Sequence, residues 1–180
     1  ETNFRRADVL IINKIETAKP ENVEIVFENA RQVNPTATII KARSPIFIQD
    51  GAAIKGKKVL VIEDGPTLTH GEMPYGAGVI AAEKYGAAEL IDPRPYAVGS
   101  IKDTFNKYKH LDRVLPAMGY GEKQIQELAA TIDKVPCDLV IGATPIDLGR
   151  LVKTSKPILR VTYELEEIGS PNLEEILARF

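Results

Sequence analysis

Cysteine is almost missing from this sequence. Cys137 stands alone among 180 residues, so no disulfide can form within the chain, and that favours a reducing, cytoplasmic setting. Long apolar runs are missing too: none approaches the roughly 20 residues that a bilayer crossing needs, and the N-terminus lacks the apolar core of a signal peptide. Neither sign of charge is in excess, because 23 Lys and Arg face 25 Asp and Glu for a net charge of −2. That leaves no electrostatic footprint for nucleic acid or for an anionic membrane, and neither is expected as a partner. Cys and His nowhere take zinc-site spacing, no Gly-x-Ser-x-Gly elbow occurs, and no Gly-x-x-x-x-Gly-Lys-Ser/Thr loop is present to cradle phosphates. What remains is a mixed-charge chain, 44% hydrophobic, able to bury one good core or two lobes.

Short β-branched runs alternate with longer helical patterns. The runs predict strands at Asp8–Ile12, Ala37–Lys41, Lys58–Ile62, Glu89–Asp92, Asp138–Gly142 and Pro157–Val161. Several are apolar at successive residues, as strands covered on both faces are. Helices are expected at Pro20–Val33, Ala77–Tyr85, Ile101–Tyr108, Glu122–Lys134, Asp147–Val152 and Asn172–Phe180. This alternation predicts an α/β fold, a mostly parallel sheet with helices on both faces in three layers. Turn signals between Ser44 and Lys57 mark a junction. The expected domains are therefore 1–54 and 55–180.

Asn13-Lys14-Ile15-Glu16 follows the first predicted strand. It resembles the Asn-Lys-x-Asp base-recognition element of P-loop GTPases, with Glu in the Asp position. A strand–helix–strand later, Lys41-Ala42-Arg43 resembles the Ser-Ala-Lys loop that completes the same pocket. The resemblance makes residues 1–54 the C-terminal part of a P-loop NTPase-like unit, with Asn13, Lys14, Glu16 and Ala42 at the nucleotide. A carboxylate there accepts from a purine edge, while Asn and the Lys stem brace the loop and cover the ring.

Other loops follow strands at the end where open α/β sheets bind ligands. In Glu63-Asp64-Gly65-Pro66-Thr67-Leu68-Thr69-His70-Gly71, Glu63 and Asp64 can hold Mg²⁺ through water, and Thr67, Thr69 and His70 can donate to phosphate oxygens. An ordinary turn explains the same residues. Gly76-Ala77-Gly78-Val79-Ile80-Ala81 matches a dinucleotide fingerprint, although a helix start built of small residues for close packing accounts for it as well. In Asp92-Pro93-Arg94-Pro95-Tyr96 two prolines stiffen the turn and present Arg94 for bidentate phosphate recognition; alternatively, Asp92 and Arg94 pin each other. Ser100 is placed to cap the next helix. Thr144 reads as an N-cap with Pro145 at the first helical position, and Thr144 and Arg150 are left open as phosphate contacts. Pro116–Gly121 reads as a flexible corner, His110 as a solvated surface residue and Cys137 as a small core residue.

In order, residues 59–71, 74–78, 92–100, 115–120, 143–148 and 160–165 resemble blocks of the cyclic 2,3-diphosphoglycerate synthetase family, whose uncharacterised members are often called predicted GTPases. Glu-Asp-Gly-Pro-Thr (63–67) and Asp-Pro-Arg-Pro-Tyr (92–96) are the most specific of these blocks. The resemblance implies a Rossmann-like second domain, ATP (or GTP) and Mg²⁺ as cofactors, and a phosphorylated small acid as substrate. It further implies a missing N-terminal part of the same polypeptide that carries the P-loop, a homo-oligomer, and little activity in these 180 residues alone. Phosphoryl-transfer chemistry relies on positioning and charge neutralisation. Asp64, Thr67, His70 and Arg94 are then the expected catalytic set, Asp64 the metal contact, and Gly65, Thr69, Asp92, Thr144 and Arg150 the expected phosphate contacts. A GTPase-type switch or metallochaperone-like regulator is the alternative. All of Asp64, Thr67, His70, Asp92 and Arg94 are expected to converge on one pocket at the carboxyl edge of the sheet.

Overall fold

The computed structural model describes residues 1–70 and 73–178. In chain order the first elements are α1 (Thr2–Arg6), β1 (Val9–Ile12), α2 (Pro20–Val33), β2 (Thr38–Arg43), β3 (Ile46–Ile48), β4 (Lys58–Asp64), α3 (Gly65–His70) and α4 (Ala77–Lys84). There follow β5 (Glu89–Leu90), α5 (Gly99–Lys107), β6 (Leu115–Ala117), α6 (Glu122–Lys134), β7 (Leu139–Ala143), α7 (Leu148–Leu151), β8 (Ile158–Tyr163), β9 (Glu166–Ile168) and α8 (Leu173–Leu177). The fold is α/β with mostly parallel pairing, as the alternation of patterns predicts.

Two compact units form, Glu1–Pro45 with Tyr163–Phe180, and Ile46–Thr162. The break lies upstream of the expected 54/55 because residues 46–48 form a strand that pairs with β8. Residues after β8 return to the first unit because β9 pairs antiparallel with β2.

In the first unit the sheet order is β1-β2-β9. β1 and β2 run parallel, Val9 opposite Thr38 through Ile12 opposite Lys41, so their following loops emerge at one edge. α2 starts with Pro20 in its first turn, where a missing N–H costs nothing. Its Val23, Phe27, Ala30 and Val33 recur at helical spacing and are the sheltered positions of the helix. Buried Asn34 then fixes the entry to β1: its Nδ2 donates to the carbonyls of Phe4 (2.9 Å) and Ala7 (2.8 Å). Its Oδ1 accepts from the Ala37 N–H, so no polar atom of that side chain is stranded.

The second unit is built on β4. Val59, Leu60, Val61 and Ile62 have no exposed surface, which fits a central parallel strand covered on both faces. Each such side chain contributes about 1.5–3 kcal/mol on burial. The sheet order is β3-β8-β7-β4-β5, with β6 also on β4. β5 and β6 share one flank of β4: β5 pairs with Lys58 and Val59, and β6 takes over from Ile62 to Asp64. That division ends β5 at Leu90 instead of the expected Asp92, and turns part of the expected flexible corner into a buried strand. α6 packs Leu128 and Ile132 inward, and Cys137 lies in the core, as expected.

Segment 65–70, read as a loop, is helix α3. Ser100 is not the cap of α5, whose N-cap is Val98; Ser100 instead gives its hydroxyl and N–H to Glu127. Thr144 does not cap α7 either, because Asp147 holds that position and accepts from the Gly149 N–H at 3.1 Å. His110 is half-buried against α3, with Nε2 3.1 Å from the Leu68 carbonyl. The last expected helix is seen from Leu173 to Leu177, and its expected end at residues 179–180 lies outside the described residues. Among the described residues no helix is long and apolar enough to cross a membrane.

Candidate functional site

Two strand-end clusters carry the residues singled out from the sequence, one in each unit. In the first unit the parallel pairing of β1 and β2 brings their loops side by side. Lys14 takes a left-handed backbone, φ 61°, uncommon for a side-chain-bearing residue. Asn13 makes that turn possible: its Oδ1 accepts the Lys14 N–H at 2.7 Å. Its Nδ2 donates to Ser44 Oγ at 2.8 Å, and the Ser44 N–H donates to Glu16 Oε1 at 3.1 Å. The Ile15 N–H reaches the carbonyl of fully buried Ala42 at 3.3 Å. Asn13, Lys14, Glu16 and Ala42 are therefore gathered as the sequence suggests, and Ser44, read only as part of a junction, is the bridge between them. Arg43 forms an ion pair with Glu166 and also lies within the field of Glu16; the Glu166 hydrogen bond and charge raise the Arg43 pKa, and the same contact lowers the Glu166 pKa.

In the second unit β4 ends in Glu63 and Asp64. Glu63 is only 4% exposed. Its Oε1 accepts from the N–H groups of Gly76 (3.1 Å), Gly78 (2.8 Å) and Val79 (3.2 Å), the opening of α4. A Cβ at Gly76 would lie 2.5 Å from Glu63 Oε2, and one at Gly78 would lie 2.7 Å from Val61 Cγ1. Both glycines are required by close packing. The helix start that a pyrophosphate would need is filled by the protein's own carboxylate, so the dinucleotide reading of Gly76–Ala81 has no seat. Burial pushes the Glu63 carboxyl up to about 7 in spite of those three bonds, and the Asp64 charge adds to the rise. Glu63 is thus not a free metal ligand beside Asp64. Its fixed, buried role is the feature that sequence reading missed, since nothing in the Glu-Asp pair says which of the two points inward.

Asp64 accepts from Thr67 Oγ1 (3.0 Å) and more weakly from the Thr67 N–H (3.4 Å). Thr69 is buried and donates its hydroxyl to the Gly65 carbonyl at 2.9 Å, the back-bond open to a threonine inside a helix. His70 Nδ1 lies 3.3 Å from the Pro66 carbonyl and 3.2 Å from Thr69 Oγ1. Gly65 sits where a Cβ would fall 2.6 Å from the Ala117 carbonyl oxygen, so α3 starts hard against the end of β6. Among the described residues no three of His, Cys, Asp and Glu converge as a metal cage. One carboxylate beside a hydroxyl still suits Mg²⁺, which takes one or two carboxylates plus phosphate and water oxygens.

Asp92 and Arg94 hold each other. The Arg94 N–H and Nε donate to Asp92 Oδ1 at 2.9 Å, and Nη2 donates to Oδ2 at 2.6 Å. Burial raises the Asp92 carboxyl, but the Arg94 bonds and charge outweigh it and hold the group below the usual range. This loop leaves the sheet just after Ile91, whose N–H still reaches the Val59 carbonyl, whereas Asp64 lies at the far end of β4 beside β6. No hydrogen bond joins the two segments among the described residues.

Thr144 follows β7, is 5% exposed, and donates its hydroxyl to the Ile146 carbonyl at 2.6 Å. Exposed Arg150 reaches Asp147 at 3.3 Å. Tyr120, just past β6, has a buried hydroxyl without a hydrogen-bond partner among the described residues. It lies beside the Thr144 side chain and within the field of Asp64, and burial raises its pKa. Asp64, Tyr120 and Thr144 thus gather past three adjacent strands, β4, β6 and β7.

No family model matches the chain. The chain is similar to an arginine synthetase. It is 62% identical over 177 residues to "Arginine synthetase ArcE" of Thermococcus kodakarensis, a match covering 98% of this chain. The chain spans 40% of the length of that curated relative. The relative carries a ligase name, which agrees with the expected class of chemistry but not with the expected 2,3-diphosphoglycerate substrate.

Proposed function

We propose that this chain is part of a nucleotide-dependent ligase with arginine as its product. The carrying observation is the 62% identity to the arginine synthetase along almost the whole chain. A synthetase couples nucleotide cleavage to bond formation, and the chemistry this chain is fitted for is phosphoryl activation of a substrate oxygen, which a nitrogen nucleophile then displaces. Positioning and charge neutralisation dominate such reactions, and the polar side chains gathered at the strand ends support that reading.

In this reading Asn13, Lys14, Glu16 and Ala42 seat the base of ATP (or GTP), supported by the cross-linked loops after β1 and β2. In the second unit, taken by itself, Asp64 would hold Mg²⁺ with Thr67 beside it, Gly65 opens the same short helix and His70 closes it, and Thr144 lines the substrate side. When bound, Mg²⁺ neutralises charge on phosphate oxygens. Arg150 serves an anionic substrate group once released from Asp147, while Arg94 holds its own loop through Asp92. The chain spans 40% of the length of its relative, and the phosphate-binding loop is proposed to come from elsewhere in the complete polypeptide.

The deciding assay runs the ligation backwards on the complete gene product. Arginine-dependent phosphorylation of ADP by inorganic phosphate is the expected outcome. ADP release from ATP that depends instead on 2,3-diphosphoglycerate would return the cyclising reading, which shares the phosphoryl step and rests on the Glu63–Thr67 and Asp92–Tyr96 blocks. Neither activity, together with a strong preference for GTP, would favour the switch-like regulator.

A further inference from the structure

We infer that Tyr120 is a ligand-contacting residue of the Asp64 site, its hydroxyl donating to an oxygen of the phosphoryl group held there. This rests on the ligase reading only in so far as that reading brings a phosphoryl group and Mg²⁺ to Asp64.

Three adjacent strands set the geometry. β6 and β7 flank β4 on opposite sides, with Ala117 opposite Asp64 and Ala143 opposite Glu63. Strands two places apart lie roughly 10 Å from each other. Tyr120 stands three residues past β6, yet its side chain lies beside that of Thr144, the first residue past β7. The segment and its ring therefore cross the carboxyl end of β4, where Asp64 stands. Met118 takes the same course, since a Cβ at Gly65 would meet its Sδ at 2.6 Å.

Buried polar side-chain atoms are nearly always paired, but the buried Tyr120 hydroxyl makes no hydrogen bond among the described residues. Thr144 does not repair this, because its hydroxyl proton goes to the Ile146 carbonyl. A ligand meets the Tyr120 oxygen once the ring turns off Thr144, and that turn gives up no hydrogen bond. Burial raises the Tyr120 pKa, so the group meets a ligand as an uncharged donor. Asp64 repels a free anion, whereas Mg²⁺ on that carboxylate brings phosphoryl oxygens to it. An O–H facing such an oxygen makes a charge-assisted bond, roughly twice as strong as a neutral one. In this role Tyr120 binds and orients, and its proton stays on the phenol oxygen.

The probe is inorganic phosphate with Mg²⁺, titrated into the complete gene product isotope-labelled at its tyrosine Cζ carbons. The Tyr120 resonance, identified by its loss in Tyr120→Phe, is expected to shift. Tyr120→Phe should weaken phosphate binding about tenfold to a hundredfold, the range of one hydrogen bond to a charged group. In arginine-dependent phosphorylation of ADP it should raise the KM for phosphate by a similar factor and leave the KM for arginine near wild type. Tm should hold, because the variant keeps the ring and loses a hydroxyl that bonds nothing. A wild-type resonance that phosphate does not move, or a phosphate affinity unchanged in Tyr120→Phe, overturns the inference. A clearly lower Tm in that variant overturns it too, since the hydroxyl would then be bonded within the protein. The ligase reading fails separately: a wild type that shifts with phosphate yet phosphorylates no ADP with arginine loses that reading and keeps Tyr120 at the anion. Turnover with arginine but no phosphate-induced shift does the reverse.

Discussion

The two strand-end clusters use the same residue types in opposite ways. After β1 and β2, side chains reach across from one loop to the other: Asn13 and Glu16 both meet Ser44, about thirty positions along the chain. After β4, β5 and β7, most side chains turn back on their own segment. Asp64 takes Thr67, Thr69 takes Gly65, Arg94 takes Asp92, Thr144 takes Ile146, and Asp147 takes Gly149. Local bonds of this kind are what turns and helix starts require in any protein, and they explain the residues without a ligand. Cross-loop bonds shape a surface that neither loop holds alone. Glu63 breaks that pattern after β4, since it reaches thirteen to sixteen residues along the chain to pin α4.

That exception makes the largest prediction. The Glu63 carboxyl titrates near 7 in the folded protein against 4.5 ordinarily. Between those values the unfolded chain has released the proton that the folded chain keeps. Stability from this group therefore falls as pH rises through that window and is level above it. The gap is worth about 3 kcal/mol, an order-of-magnitude figure. Glu63→Gln keeps an acceptor for the α4 N–H groups and removes the ionisation. Denaturant melts from pH 4.5 to 8 should show wild type losing stability relative to Glu63→Gln as pH rises. Parallel curves for the two proteins would mean that Glu63 is charged throughout and is no exception to the local pattern.

Gly78→Ala comes next. The added Cβ would stand 2.7 Å from Val61 Cγ1 and 3.0 Å from Glu63 Oε1, both on the rigid central strand. Overpacking of this sort costs about 1–3 kcal/mol, so a clear drop in Tm is expected. Unchanged melting would show that α4 can move off the sheet, and would reopen its N-terminus to an anion.

The contrast between the units also explains what could be read from the sequence. Alternating apolar runs and helical periods specify β4, β7, α2 and α6, because burial on both faces or on one stripe leaves a direct pattern. α2 and α6 have the bounds that the pattern predicts. β3, β6 and β9, three residues each, carry too little pattern to be seen and exist because a neighbouring strand offers an edge. α3 was hidden by turn-forming Gly65 and Pro66, residues that also suit a helix's first turn. Within the site, Asn13 and Glu16 were legible because their spacing itself carries the geometry. Ser44, Glu63 and Tyr120 were not, since each owes its place to a partner distant in sequence. Residue type alone could not tell the Asp92–Arg94 loop's two readings apart.

Arg94→Ala gives the smallest expected effect and tests the contrast where it is most open to failure. Arg94 spends its N–H, Nε and Nη2 on Asp92, and the pair is roughly half exposed, where solvent screening keeps an ion pair's worth small. If the bonds in this loop only hold the loop, Arg94→Ala lowers Tm slightly and leaves turnover of the complete gene product within a few-fold of wild type. The Asp92 carboxyl, freed of the guanidinium that holds it low, should then titrate higher, a change that carboxyl-carbon NMR can follow. If Arg94 instead leaves Asp92 to clamp a substrate phosphate in the transition state, the same substitution costs about 10²–10³ in rate with the fold intact. Arg94→Lys separates the cases further, because a lysine keeps the charge but lacks the planar fork needed for bidentate contact. A large loss in both variants would show that this loop, like a cross-linked one, is built for a ligand and not only for its own turn.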